Sequence, residues 1–202
     1  MIKFVLTKKE NQPLCKWQGG QTRQFFIFPE DKKGATAFDY EFEITSSTME
    51  YPQTDYTIYS GYDRILMIIE GKTRLIHQDG RTADLKKYDY DIFPGEMSTK
   101  SEGIATDYEM MIRRGSCGDI KVLDISQGEI CEDLKIMDGY EMMFCGFYCC
   151  GENSRIVSGA QEFELYHGDH LSVMSSDDIV VSVSGKGGPV INSVIHFNYF
   201  SS

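Results

Sequence analysis

Apolar and polar residues alternate with a period of two along much of this 202-residue chain. The run Phe38-Asp39-Tyr40-Glu41-Phe42-Glu43-Ile44-Thr45 is the clearest case: a strand over 38–45 with one face in a core and one in water. The same reading predicts a first strand at the N-terminus and a strand in the apolar run Phe25-Phe26-Ile27-Phe28. It adds strands over 55–59, 64–70, 72–77, 106–113, 119–125, 142–149, 162–166, 170–174, 178–184 and 189–199. Turn residues separate them: Glu70-Gly71-Lys72, Gln78-Asp79-Gly80-Arg81, Phe93-Pro94-Gly95-Glu96, Tyr166-His167-Gly168-Asp169 and Gly185-Lys186-Gly187-Gly188. No segment sustains a 3.6-residue period with caps, and 131–138 holds a helical turn at most. Many short strands with regular turns imply an all-β sandwich or barrel.

The stretch Gly115-Ser116-Cys117-Gly118-Asp119 marks a boundary, dividing the chain into an N-terminal lobe, 1–117, and a C-terminal lobe, 118–202. Ile92-Phe93-Pro94-Gly95-Glu96-Met97 and Leu165-Tyr166-His167-Gly168-Asp169-His170-Leu171 echo each other across it, as two related β-barrel halves would.

Composition narrows the partners. With 41% hydrophobic residues, 12 Tyr and 12 Phe, the chain can bury a real core and is not disordered. A net charge of -11 without any Lys/Arg cluster disfavours nucleic acid and anionic membranes, which need concentrated positive charge. No apolar run approaches the roughly 20 residues that span a bilayer. The start, Met1-Ile2-Lys3-Phe4-Val5-Leu6-Thr7-Lys8-Lys9, reads as a strand and not a signal peptide. The expected compartment is the cytoplasm, where the six cysteines stay reduced, chiefly as buried structural thiols. Exposed edge strands provide for a symmetric homodimer.

Candidate chemistry is sparse. His77, His167, His170 and His196 are scattered, and no two have the His-x-His spacing that shares a strand face, so no metal site is expected and the histidines read as surface or turn residues. There is no nucleophile elbow, phosphate loop or dinucleotide fingerprint, and Gly185-Lys186-Gly187-Gly188 reads as a β-hairpin turn. Two arginines stand out, Arg23 and Arg64, each just before an apolar run, as rigid forks suited to an anion or an internal carboxylate. Asp107 and Glu109 share one strand face. Turned inward, they need arginine partners or a bound proton; turned outward, they are solvated charges, the commoner case because acids are seldom buried. Trp17, the single tryptophan, precedes Gly19-Gly20 and is either a pocket wall or a core aromatic held by a tight turn.

These residues resemble a known family. Trp17-Gln18-Gly19-Gly20-Gln21-Thr22-Arg23, with Phe28-Pro29 after it, resembles the Trp-x-x-Gly-Gly-x-Thr-Arg segment of the HutD/Ves family. Phe42-Glu43-Ile44-Thr45-Ser46 looks like its second strand. Tyr59-Ser60-Gly61-Tyr62-Asp63-Arg64 resembles its Phe-Pro-Gly-x-Asp/Glu-Arg turn, and Ile69-Glu70-Gly71 its Glu-Gly. Phe93-Pro94-Gly95-Glu96 and Asp107-Tyr108-Glu109-Met110-Met111-Ile112-Arg113 match its later loop and its Asp-Phe-Asn-x-Met-x-Arg strand. The likeness covers about residues 14–114 and thins to Leu165-Tyr166-His167-Gly168-Asp169 beyond. It implies a bicupin, two antiparallel β-barrel (jelly-roll) lobes, without the metal-binding histidines of enzymatic cupins and without a cofactor. By name the family is associated with histidine utilisation and stress response. Glu109 stands where the family has Asn, which replaces a donor and acceptor by an anion and disfavours a carboxylate ligand. Ser60 stands where the turn usually has proline.

The resulting expectation is a metal-independent cytoplasmic protein binding a small polar metabolite, a carboxylate or amide, in its N-terminal lobe. Arg23 and Arg64 would anchor it, Trp17 would form a wall, Thr22 would offer a hydroxyl, and Asp107 with Glu109 would orient the arginines or take a ligand amine. Two rivals stand beside it: an isomerase or hydrolase with a carboxylate base, and a structural protein whose arginines only hold the barrel closed.

Overall fold

The structure, a computed structural model, describes residues 1–32 and 39–198. It is built almost wholly of antiparallel strands, with three short 3-10 turns and no α-helix among the described residues. The chain divides into two compact units, Gln12–Arg114 and Met1–Asn11 with Gly115–Ser202.

The N-terminal strand β1 (Ile2–Thr7) pairs along its whole length with β16 (His170–Ser175). This corrects the expected division at 117/118: the first eleven residues belong with the C-terminal lobe. The pattern predicted the strand correctly, but pairing across more than 160 residues leaves no local trace.

The unit Gln12–Arg114 contains β2 (Leu14–Trp17), β3 (Gly20–Phe28), β4 (Phe42–Met49), β5 (Gln53–Asp55), β6 (Tyr62–His77), β7 (Thr82–Lys86), β8 (Tyr90–Pro94), β9 (Thr99–Glu102) and β10 (Ala105–Arg113). They form one curled sheet in the order β2-β3-β4-β10-β6-β9-β5, with β7 and β8 also pairing with β6. The predicted strands 64–70 and 72–77 are a single 16-residue strand, β6. Gly71 is a bend within it (φ 77°), not a turn between strands. Pairing with β10 ends at Gly71, and pairing with β7 begins at Lys72. A Cβ on Gly71 would lie 2.5 Å from the Ile104 carbonyl oxygen. Gly71→Ala is therefore expected to cost about 1–3 kcal/mol, read from urea unfolding, through both the left-handed backbone and that contact.

The predicted strand 38–45 begins later, at Phe42, and Phe38 lies outside the described residues. The backbone N–H and C=O of Tyr40 are both engaged by the Tyr62 hydroxyl, at 3.2 and 2.7 Å. Residues 56–59, expected as strand, are irregular.

The second unit contains β11 (Cys117–Leu123), β12 (Ile130–Leu134), β13 (Met142–Cys149), β14 (Asn153–Ser158), β15 (Gln161–Tyr166), β16, β17 (Ile179–Lys186) and β18 (Val190–Phe197). They form a five-stranded sheet, β1-β16-β13-β18-β11, and a four-stranded sheet, β12-β17-β14-β15. Alternate residues of both sheets, among them Met143, Phe147, Leu165, Val173 and Val181, make one buried cluster. Residues 131–134 belong to strand β12, and 135–138 are irregular, with no helical turn. Gly185-Lys186-Gly187-Gly188 is no hairpin: β17 and β18 lie in different sheets, so the glycines carry the chain from one to the other. Tyr199, the end of the last predicted strand, lies outside the described residues.

All six cysteines are free thiols, but only Cys145 and Cys149 are buried; Cys15 and Cys131 are exposed. Two histidines also depart from expectation. His77 is buried and bonded to Thr99 and Asp91, both at 2.9 Å. His170 is fully buried beside Ser172, and burial pushes its pKa down to about 3. No helix of the described residues is long and apolar enough to cross a membrane.

Candidate functional site

The inner face of the Gln12–Arg114 sheet encloses a cavity of about 540 Å³. Period-two alternation determines which side chains reach it. From β3 these are Thr22 and Gln24, from β4 Glu43, Thr45, Ser47 and Met49, and from β10 Asp107, Glu109 and Met111. Arg64 enters from β6, Trp17 from β2, and Tyr40, Tyr56 and Tyr59 from the irregular segments.

Asp107 and Glu109 thus point inward, against the outward reading that acids favour. Both are buried, at 0% and 6% exposure. Glu109 Oε1 accepts from Arg64 Nε at 2.5 Å, and Arg64 Nη1 donates to the Thr57 carbonyl at 3.1 Å. The guanidinium also lies 4.8 Å from the Tyr56 ring centroid and 5.4 Å from that of Phe93, so a buried cation is held by one carboxylate, one carbonyl and aromatic faces. Arg64 is therefore engaged by its own protein at two of its nitrogens.

Asp107 sits at a β-bulge, where the β10–β6 register shifts between Thr106 and Asp107. Its Oδ1 accepts the Ser47 backbone N–H at 2.8 Å, while its Oδ2 is buried without a hydrogen-bond partner. Burial first, and the neighbouring Glu109 charge second, push its pKa well above the ordinary carboxylate range, against the opposing pull of the Ser47 N–H and Arg64. Glu43 is raised too, mainly by burial, although Gln24 Nε2 donates to its Oε1 at 2.6 Å. That bond fixes the Gln24 amide so that its own Oε1 is buried and unpartnered. Burial pushes the Tyr59 hydroxyl up to about 12.

Trp17 joins both of its expected roles. It packs on the cluster of Met49, Leu66 and Phe93 and also lines the cavity. Its Nε1 donates to Thr22 Oγ1 at 3.0 Å, and Thr22 contacts Ser47 Oγ at 2.8 Å, so the Thr22 hydroxyl is part of the wall's own bracing. The glycines after Trp17 admit protein rather than ligand: a Cβ on Gly19 would meet the Trp17 ring, and one on Gly20 the Thr48 carbonyl.

Arg23 does not line the cavity. It follows Thr22 on the same strand, opposite Ser46 in register, and alternation sends the two side chains to opposite faces. The period alone forbids both from facing inward. Gln24, Glu43, Tyr40 and Tyr56 line the cavity without having been singled out in the sequence. Gln24 and Glu43 were findable, since each lies two residues from a position on the inward face. Among the described residues, no three His, Cys, Asp or Glu side chains are grouped to hold a metal ion.

Comparison with known proteins accords with this architecture. A conserved Pseudomonas aeruginosa PAO1 protein of unknown function superposes with a TM-score of 0.80 at 14% identity, covering 98% of this chain and 100% of that one. HutD from Pseudomonas fluorescens SBW25 gives 0.75 at 13% identity, over 96% and 98%. The Escherichia coli protein Ylba gives 0.66 at 14% identity, over 95% and 90%. At such identities the likeness establishes the fold, which is of the cupin type. No curated protein sequence matches the chain. The HutD family model matches residues 9–190, and the chain belongs to the HutD family.

Proposed function

We propose that this protein is a bicupin that binds a small polar metabolite in the cavity of the Gln12–Arg114 unit. The observation that carries this reading is a pair of buried side-chain oxygens without hydrogen-bond partners on residues lining the cavity, Gln24 Oε1 and Asp107 Oδ2. A buried polar atom left unsatisfied costs about 1–3 kcal/mol, a cost that a ligand supplying matching polar groups removes. Arg64 is already engaged by Glu109 and Thr57, which favours an amide or amine over a free carboxylate. A role as a cytoplasmic sensor or regulator in histidine or amino-acid utilisation is part of the same proposal, and membership of the HutD family supports it.

A thermal-shift panel of small amides, amines and carboxylates, including histidine-breakdown intermediates, tests the reading. A ligand at a hundredfold excess over its Kd adds about 2.7 kcal/mol of apparent stability. Cys15→Trp, at an exposed position on the cavity lining, is expected to melt like the wild type and to lose the shift. Equal shifts in both proteins would put the ligand elsewhere. The raised proton affinity of Asp107 also supports the second reading, a metal-independent isomerase or hydrolase with Asp107 as general base. Assaying the same panel for turnover separates the two.

A further inference from the structure

The charge lining the cavity is lopsided. Among the described residues, Glu43, Asp55, Asp107 and Glu109 contribute four carboxyl groups to the lining, and Arg64 the single basic side chain. Asp55 lies at the exposed rim, 3.7 Å from Lys100. The three inner acids share one guanidinium, and only Glu109 is paired with it. Trp17 and Tyr59 add aromatic side chains to the lining.

We infer that the cavity takes an organic cation, an amidinium, guanidinium or ammonium, and that Asp107 gives up a proton as the cation enters. This deepens the binding role proposed above and rests on it. The groups facing Asp107 are Glu109 on its own strand, Arg64 from β6, the Ser47 N–H from β4 and Tyr56 from the loop before β6. Oδ2 has no hydrogen-bond donor among the described residues, and burial beside Glu109 favours the protonated acid. A planar cation brings N–H donors and positive charge to that oxygen. The Oδ2–H bond then breaks, its proton leaves to the buffer, and a charge-assisted N–H to Oδ2 hydrogen bond replaces it. A neutral amide supplies donors but no charge, and a carboxylate adds a further anion.

Benzamidine, benzamide and benzoate form a near-isosteric series of cation, neutral amide and anion. Isothermal titration of the intact protein is expected to give at least tenfold tighter binding of benzamidine than of benzamide, and none of benzoate. Below the pKa of Asp107 in the empty cavity, affinity for benzamidine should rise with pH, by at most about tenfold per unit for one released proton. The heat should differ between phosphate and Tris buffers by the ionisation of the released proton. In Asp107→Asn the pH slope and the buffer dependence should both fall, with any remainder belonging to Glu43, which burial also raises. Benzamide or benzoate binding as tightly as benzamidine would overturn the cation assignment and leave the polar cavity standing. Benzamidine binding with a flat pH profile and equal heats would overturn the proton release. Failure of all three compounds to bind folded wild type up to millimolar concentration would overturn the binding reading together with the inference.

Discussion

Arg64→Met should lower the stability of the protein by about 3–5 kcal/mol near neutral pH, because it leaves Glu109 buried without its counter-ion. Arg64 and Glu109 are 4% and 6% exposed and meet at 2.5 Å, beside a second buried acid, Asp107. The deficit should shrink as the pH is lowered. Protonating an acid removes its buried charge, and with it the cost of holding that charge away from water. Adding Glu109→Gln to Arg64→Met should restore most of the loss, since the uncompensated charge is then gone. Urea unfolding of the two variants at pH 5 and pH 7.5 is the measurement. A loss below 1 kcal/mol for Arg64→Met would mean that the pair holds nothing, and the reading of the arginine as an internal brace would fail.

Phe42→Ala should cost a similar amount, about 3–5 kcal/mol, for a different reason. The ring is fully buried in an aromatic row, with centroids 6.0 Å from Phe26 and 5.6 Å from Phe28. It is in register with Phe28 on one side and Ile112 on the other. Truncation removes the transfer free energy of the ring and leaves a void that three rigid strands cannot collapse around. This loss comes from packing and not from charge, so it should depend on pH less than the loss in the Arg64 variant. The midpoint in urea should fall without a change in slope. Loss of under 2 kcal/mol would show that the row repacks.

Much of the fold was legible in the chain. Residues 142–149, 106–113 and 170–174 alternate or run apolar, and they are strands with nearly the expected limits. The strands that went unseen, such as β7 and β9, are short and polar-rich, Thr82-Ala83-Asp84-Leu85-Lys86 and Thr99-Lys100-Ser101-Glu102, and their pattern is carried by partners on β6. The site was legible in part. Asp107 and Glu109 share a face because the strand period is two, and that much needed no structure. Which face was inward depended on the Thr106/Asp107 bulge and on the strands at either side. Arg23 was misjudged although the same period was available to reject it, given Thr22.

By itself the sequence determined the all-β class, most strand positions, the kinship of residues 14–114 to the HutD/Ves family, and the acidity that disfavours nucleic acid. Each of these rests on local periodicity, turn residues or summed charge. Only the tertiary structure decided that β1 closes the sheet of the C-terminal lobe, that β6 continues through Gly71, that Arg64 is spent on Glu109, and that Asp107 Oδ2 is buried without a partner. These depend on contacts between residues far apart in the chain, and burial or pairing of that kind is a property of the assembled sheet.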